Sequence, residues 1–129
     1  MNILNATLFD GFIDLEGQKL PIKGKMEIDH IGIPEKGKEI RLGIRPDFFH
    51  DENFVQGGST LSRIENAEID LIEPMGFDKD LDVKVGGQSF KVRLDLRTSA
   101  KEGEKINLCF DMERAHFFDI KTERNLLKK

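Results

Sequence analysis

Apolar and polar residues alternate with a period of two along most of this chain. Between Gly103 and Asp119 (GEKINLCFDMERAHFFD), Ile106, Leu108, Phe110 and Met112 alternate with Asn107, Cys109, Asp111 and Glu113. That is the pattern of a strand with one buried face. Ala115-His116-Phe117-Phe118-Asp119 follows, a cluster too apolar for a free loop. An earlier stretch has the same design. After Gly37, Ile40, Leu42 and Ile44 share one face, and Arg45-Pro46-Asp47-Phe48-Phe49-His50-Asp51 comes next. Ile40 matches Ile106 and Leu42 matches Leu108 at an offset of 66 (106 − 40), whereas the Phe-Phe pairs match at 69 (117 − 48). The second copy would then carry three extra residues. The echo suggests an internal duplication of about 1–52 and 65–129, interleaved, although two short copies can also agree by chance.

The remaining segments read as further short strands. Thr7 to Leu15 is strand material broken at Asp10-Gly11, and Phe12–Leu15 turns at Glu16-Gly17 to return through Lys19–Ile22. Pro21 cannot donate to a ladder, so that piece belongs at a sheet edge. Ile33–Gly37 is a connector, Pro46 ends the strand over Glu39–Arg45, and Asp47 to Asn53 fits one helical turn. Gln56-Gly57-Gly58-Ser59-Thr60 is the best place for a mobile loop. From Glu65, Ala67, Ile69 and Leu71 alternate with Glu68 and Asp70 up to Pro74-Met75-Gly76. Then Leu81, Val83 and Val85 lead into Gly86-Gly87, and Phe90, Val92, Leu94 and Leu96 lead out. Gly-Gly suits a type I′ hairpin turn, with φ > 0 at both positions. Val83 then faces Phe90 and Leu81 faces Val92, while Asp82 meets Lys91 and Asp80 meets Arg93. Such opposite charges contribute roughly 0.2–1 kcal/mol each. A turn at Gly87-Gln88 would set Lys84 against Lys91, so charge supports the same register. Thr98–Glu104 is a polar connector, and Leu126-Leu127 could add a last strand. Roughly seven to ten short strands and no helix describe an all-β barrel or sandwich.

Composition narrows the function classes. The 129 residues suit one domain, 34% of them are charged, and the net charge is −4. That argues for solubility and against a basic nucleic-acid surface. A single cysteine, Cys109, excludes an internal disulfide framework and fits a reducing compartment. No apolar run approaches the roughly 18 residues of a spanning helix. Met1–Asn5 lacks a basic region and a long apolar core, so it is not a signal peptide.

There is no phosphate-cradling P-loop motif, and Gly86-Gly87-Gln88 reads as a hairpin turn rather than part of a nucleotide signature. Asp78-x-Asp80-x-Asp82 starts like a calcium loop but lacks the glycine and glutamate that complete one. His30, His50 and His116 are far apart, and none has a partner at metal-ligand spacing. His116, among Ala115, Phe117 and Phe118, fits a half-buried structural histidine better than a catalytic one. Cys109 lacks a nearby base. The ten Phe residues fall mostly on expected core faces, with no basic groove to make them stacking platforms. Arg45 either pairs locally with Asp47 or Glu73 or contacts a partner. These readings assign no catalytic, cofactor or metal residue and favour a binding, regulatory or assembly module.

Four segments in order carry a resemblance: Met1-Asn2-Ile3-Leu4, Gly43-Ile44-Arg45-Pro46-Asp47, Glu73-Pro74-Met75-Gly76 and Ala115-His116-Phe117-Phe118-Asp119. Together they resemble the C-terminal TOBE or OB-type regulatory domain of ABC importer ATP-binding subunits, in the carbohydrate-importer branch (maltose-importer-like and multi-sugar subunits). The resemblance covers nearly the whole chain, 1–129, and implies two small interlocked OB-like barrels with little helix. Arg45, Pro46, Glu73, Gly76, His116 and Asp119 match its signature positions, as structural or partner-facing residues. The motifs of the nucleotide-binding domain are absent, so ATP and Mg would belong to a preceding domain and the chain reads as a C-terminal portion. The implied role is regulation and dimerisation in a sugar importer, without ATPase activity of its own. The implied partners are a second copy of the subunit, the permease subunits and a regulatory protein, at the cytoplasmic face of the membrane. A small-anion or sugar-phosphate sensor and an OB-type nucleic-acid module are the alternatives.

Overall fold

The period-two alternation becomes twelve strands in a computed structural model that describes residues 1–22, 27–28, 33–55, 61–124 and 127–128. The strands are β1 (Asn2–Phe9), β2 (Phe12–Leu15), β3 (Gln18–Pro21), β4 (Glu27–Ile28), β5 (Lys38–Ile44) and β6 (Phe49–Asp51). They continue as β7 (Ser62–Met75), β8 (Asp78–Val85), β9 (Gln88–Asp95), β10 (Lys105–Phe110), β11 (His116–Asp119) and β12 (Leu127–Lys128). Three 3-10 turns, Pro46–Phe48, Glu52–Phe54 and Met112–Arg114, are the helical pieces among the described residues. His30, the 56–60 loop and Leu126 lie outside them; Leu127 does form a short strand, paired with Ile28.

Two five-stranded antiparallel sheets share one core. Their orders are β11-β5-β1-β2-β3 and β6-β10-β7-β8-β9. Each sheet is a three-strand meander (β1-β2-β3 or β7-β8-β9) extended by a later strand of the same half (β5 or β10), and each takes its last strand from the other half of the chain, while β4 pairs apart with β12. After β5 the chain makes a 3-10 turn at Pro46–Phe48 and enters the second sheet as β6, paired with β10. After β10 it turns at Met112–Arg114 and enters the first sheet as β11, paired with β5. The exchange is reciprocal. The edge strands of the second sheet, β6 and β9, come together through Phe49 and Phe90 (5.5 Å between rings), so this sheet curls in keeping with an OB-like barrel.

This register corrects the internal alignment read from the sequence. His50 pairs with Cys109 and His116 pairs with Gly43, so one offset of 66 relates both members (116 − 50 and 109 − 43). The two 3-10 turns obey the same offset (112 − 46). The Phe-Phe pairs are therefore not equivalent positions, and no three-residue insertion is needed.

Other differences have local causes. The β8–β9 register is the expected one, with Val83 on Phe90, Leu81 on Val92, Asp82 on Lys91 and Asp80 on Arg93. The turn, however, has positive φ only at Gly86 (58°) and not at Gly87. A positive first position alone matches type II′, not I′. Leu71 is 42% exposed because the β7–β8 register slips between Ile69 and Leu71, which reverses the faces beyond that point. A second slip, beside Asn66 at φ 56°, lets Ile64 and Ala67 both point inward despite their odd spacing. A bulge does this by setting two residues against one. Only four of the ten Phe residues (Phe49, Phe90, Phe110 and Phe117) are core residues, fewer than the pattern suggested. Leu96 lies beyond β9 and is exposed.

Side-chain amides fasten the halves where ladders cannot. Gln88 Nε2 donates to the Asn5 carbonyl (2.8 Å) while its Oε1 accepts from the Asn5 amide (2.7 Å). Gln18 does the same to Glu65 (2.8 and 2.7 Å). Asn2 does it to Lys91 (2.6 and 3.0 Å). Each amide stands in for a peptide group and satisfies backbone that a curled sheet leaves unpaired.

Candidate functional site

Four of the six signature positions lie on the strand exchange. Pro46 opens the first 3-10 turn, where its fixed φ and missing N–H cost nothing. Arg45, at the cap, is 58% exposed and reaches Asp47 (Nε–Oδ1 3.3 Å), which decides between Asp47 and Glu73 as its partner. Its guanidinium also lies over the Phe48 ring at 5.3 Å, and Arg114, from the other exchange turn, lies over the same ring at 5.1 Å. Two cations on one ring tie the two crossovers together, by about 0.5–1 kcal/mol for each exposed contact.

His116 and Asp119 stand on β11. His116 is half-buried on the outer face, stacked on Phe118 at 5.8 Å and opposite Gly43. A Cβ on Gly43 would come within 2.7 Å of Met1 Sδ and 2.9 Å of Phe118 Cε2, so the glycine is what lets these side chains lie against bare backbone. Asp119 closes the strand. It pairs with Lys38 Nζ at 2.9 Å and accepts the amides of Lys121 (2.8 Å) and Thr122 (3.1 Å). The Lys38 hydrogen bond first, then these amides, hold its carboxyl at about 2. Because the folded-state value is depressed, this stabilisation is complete above about 3.8 and is lost as pH falls from there through about 2. We expect D119N to lower the urea midpoint at pH 7, and the gap to the parent to close between pH 4 and pH 2. A gap that persists at pH 2 would contradict the ion-pair account.

Glu73 and Gly76 belong to a different region, the far end of the β7–β8 hairpin. Gly76 and Phe77 form the two-residue turn, with Gly76 at φ 80°, and Glu73 is exposed opposite Asp80. The six positions therefore do not converge on one site.

Two cavities flank these elements. A groove of about 550 Å³ lies among β1, β2, β5 and the β8–β9 turn, lined by Asn5, Thr7, Asp14, Glu39, Gln88 and Ile120, among others. A second, of about 450 Å³, opens at the mouth of the curled second sheet. Phe49, Phe54, Val55, Leu61 and Leu94 make its apolar wall, and Asp47, Asp51, Asp78, Asp95, His50 and Arg93 surround it. Arg93 is held by Asp80 at 2.9 Å; that bond, and then the nearby carboxylates, raise its pKa above the ordinary guanidinium value. Asp51, 4% exposed, accepts from Thr98 Oγ1 (2.6 Å) and the Asn53 amide (3.0 Å). Thr98 is thus buried, not part of a merely polar connector.

The described residues include the one cysteine of the chain. Cys109 is buried, and desolvation, followed by the Glu52 charge, pushes its thiol pKa up, away from the nucleophilic thiolate. No group of three His, Cys, Asp or Glu among them is placed to hold a metal ion. No helix among them is long and apolar enough to cross a membrane. Gln18, Gln88, Asn2 and the Phe48 ring escaped sequence reasoning. For the glutamines a signal existed: each directly follows a two-residue turn, Glu16-Gly17 or Gly86-Gly87.

Comparison with known proteins adds a second line. No protein-family profile matches the chain. It is 35% identical over 127 residues to the oligosaccharides import ATP-binding protein MsmX of Bacillus subtilis. It is 28% identical over 124 residues to the trehalose/maltose import ATP-binding protein MalK of Thermococcus litoralis. It is 30% identical over 126 residues to the multiple sugar-binding transport ATP-binding protein MsmK of Streptococcus mutans. Each match covers 95% of this chain but only 33% of the relative. The chain thus spans about a third of the length of these relatives.

Proposed function

This chain is homologous to the C-terminal region of ABC sugar-importer ATP-binding subunits, and from that premise we propose that it serves as the regulatory and dimerising domain of such a subunit. It has no ATPase activity of its own in this reading. It works at the cytoplasmic face of the membrane, where the rest of the subunit engages the permease and a second copy. A regulatory protein is a further partner. The observation that carries this reading is the 35% identity along 95% of the chain, confined to a third of the relative. The all-β fold without a phosphate-cradling loop supports it. The same reading takes the chain as one domain built from two interleaved, duplicated halves, which the reciprocal exchange supports. The anion-sensing alternative gains little, because no cation is among the described residues lining the larger groove and Arg93 at the other cavity is already held by Asp80. The net charge of −4 is unfavourable for nucleic-acid binding.

A chimera tests it. In the Bacillus subtilis relative, the matching region is replaced by this chain, and sedimentation and ATP hydrolysis are compared with the parent and with a truncation lacking the region. The chimera is expected to dimerise as the parent does, and the truncation to dimerise more weakly. A chimera as monomeric as the truncation overturns the dimerising role. Specific heat on titrating the chain alone with Mg-ATP overturns the absence of nucleotide binding.

A further inference from the structure

Met1, Ile3, Gly43, His116 and Phe118 lie together on the outer face of the first sheet. Ile3 pairs with Gly43 and Gly43 with His116, which sets the three in one row across β1, β5 and β11. Residues paired in this way share a face. Alternation adds Met1, two before Ile3, and Phe118, two after His116. Contacts join them. A Cβ on Gly43 would meet Met1 Sδ at 2.7 Å, Phe118 Cε2 at 2.9 Å and His116 Cβ at 3.6 Å. The His116 ring in turn stacks on Phe118. The face is open to water, with Met1 60% and Ile3 51% exposed.

Gly43 has no conformational reason to be glycine, because its φ is not positive. A glycine inside a strand weakens it and marks a close approach to the backbone. Here Met1 and Phe118 make that approach, and they form an apolar floor over bare backbone. Three of the four segments that carry the family resemblance contribute to it: Met1-Asn2-Ile3-Leu4, Gly43-Ile44-Arg45-Pro46-Asp47 and Ala115-His116-Phe117-Phe118-Asp119.

The floor is too small for a free partner. Separate proteins need roughly 20–30 residues from each side to hold together. A segment of the same polypeptide needs far fewer, because covalent attachment fixes it at a high effective concentration. The position of the floor supplies that segment. The region matched in the relatives is C-terminal and makes up 33% of their length. The polypeptide ahead of it therefore enters beside the residue matching Met1, and Met1 is itself part of the floor.

We infer that Met1, Ile3, His116 and Phe118 seat the segment directly ahead of this region in the full subunit, an apolar stretch that lies across Gly43 and holds the preceding domain against β1, β5 and β11. This inference rests on the importer reading in one respect, that the chain is the C-terminal part of a longer subunit. It gives His116 a partner-facing role.

The test compares the oxidation of Met1 and Met75 by hydrogen peroxide, read by peptide mass spectrometry. Exposed thioethers are converted to sulfoxides. Met75 is 52% exposed and belongs to the other sheet, so it serves as the internal standard. One sample is this chain with Gly-Ser-Gly ahead of Met1, and the other is the Bacillus subtilis chimera described above. In the first, the two methionines are expected to react at similar rates. In the chimera, Met1 is expected to slow roughly tenfold relative to Met75, as for a seat open about a tenth of the time. Ile3→Lys, on the exposed face, is expected to leave the melting of the chain alone unchanged and to restore Met1 oxidation in the chimera. An unchanged ratio in a chimera that dimerises as the parent does overturns this inference and leaves the dimerising role intact. A protected Met1 in a chimera that stays monomeric does the reverse. Protection that disappears on dilution to monomers overturns the inference in favour of a second copy on this face.

Discussion

Fragments 1–55 and 61–129, each without cooperative structure alone, fold when mixed. This result is expected from the reciprocal exchange. The first fragment holds β5 but not β11, the strand that completes its sheet, and it holds β6 but not β10, the strand β6 pairs with. Its Phe49 is 2% exposed in the whole molecule because Phe90 (5.5 Å between rings) and Phe110 (5.7 Å) cover it, and both belong to the other fragment. The second fragment lacks Leu42, which lies opposite Phe117 on the neighbouring strand. Chains near 60 residues bury only about 60% of their unfolded surface even when complete, so neither piece has the reserve to leave a core side open. Circular dichroism of each fragment, then of the mixture, reads the outcome directly. The reconstituted transition must rise in temperature with concentration, as for any assembly of two folding partners. A single fragment that melts cooperatively on its own would show that the halves are independent barrels.

The second large effect separates two neighbours in the chain. Phe117 is fully buried, while Phe118 lies on the outer face of the same strand beside His116. Phe117→Ala is expected to cost about 3–5 kcal/mol, from lost transfer energy and the cavity left behind. That is a large part of the roughly 5–15 kcal/mol that holds a domain together. Phe118→Ala should cost no more than about 1 kcal/mol, as substitutions outside the core usually do. Urea denaturation of both variants measures the contrast. Similar losses for the two would mean that β11 is not seated with Phe117 inward, and the exchange geometry would fall with it.

These two expectations also mark how much of the site could be read in advance. The AHFFD cluster was legible as an apolar latch, because Ala115, Phe117 and Phe118 side by side are too apolar to be left in water. It was not legible as two faces, one sealing the core and one lying on Gly43, because a strand of four residues has too little sequence to state its own alternation. The same holds for Arg45. Its choice of Asp47 over Glu73 and its place on Phe48 beside Arg114 depend on two turns, far apart in the chain, meeting at the crossover.

Local chemistry was enough wherever the deciding contacts lie within a few residues. The β8–β9 register followed from alternation, two glycines and two charge pairs, since a tight hairpin leaves a strand no other partner at comparable entropic cost. The edge position of Pro21 followed from its missing donor, and the all-β class from repeated period-two segments too short and too turn-rich for helices. Folding in three dimensions supplied the rest. Which strand completes which sheet, why Leu71 turns outward, and why the two Phe pairs are not equivalent all depend on long-range pairing and on bulges. A bulge shifts the register by one residue and reverses every face beyond it. The balance between a strand that stays in its own sheet and one that crosses over is set by how well the two cores pack together, and no segment of the chain carries that information by itself.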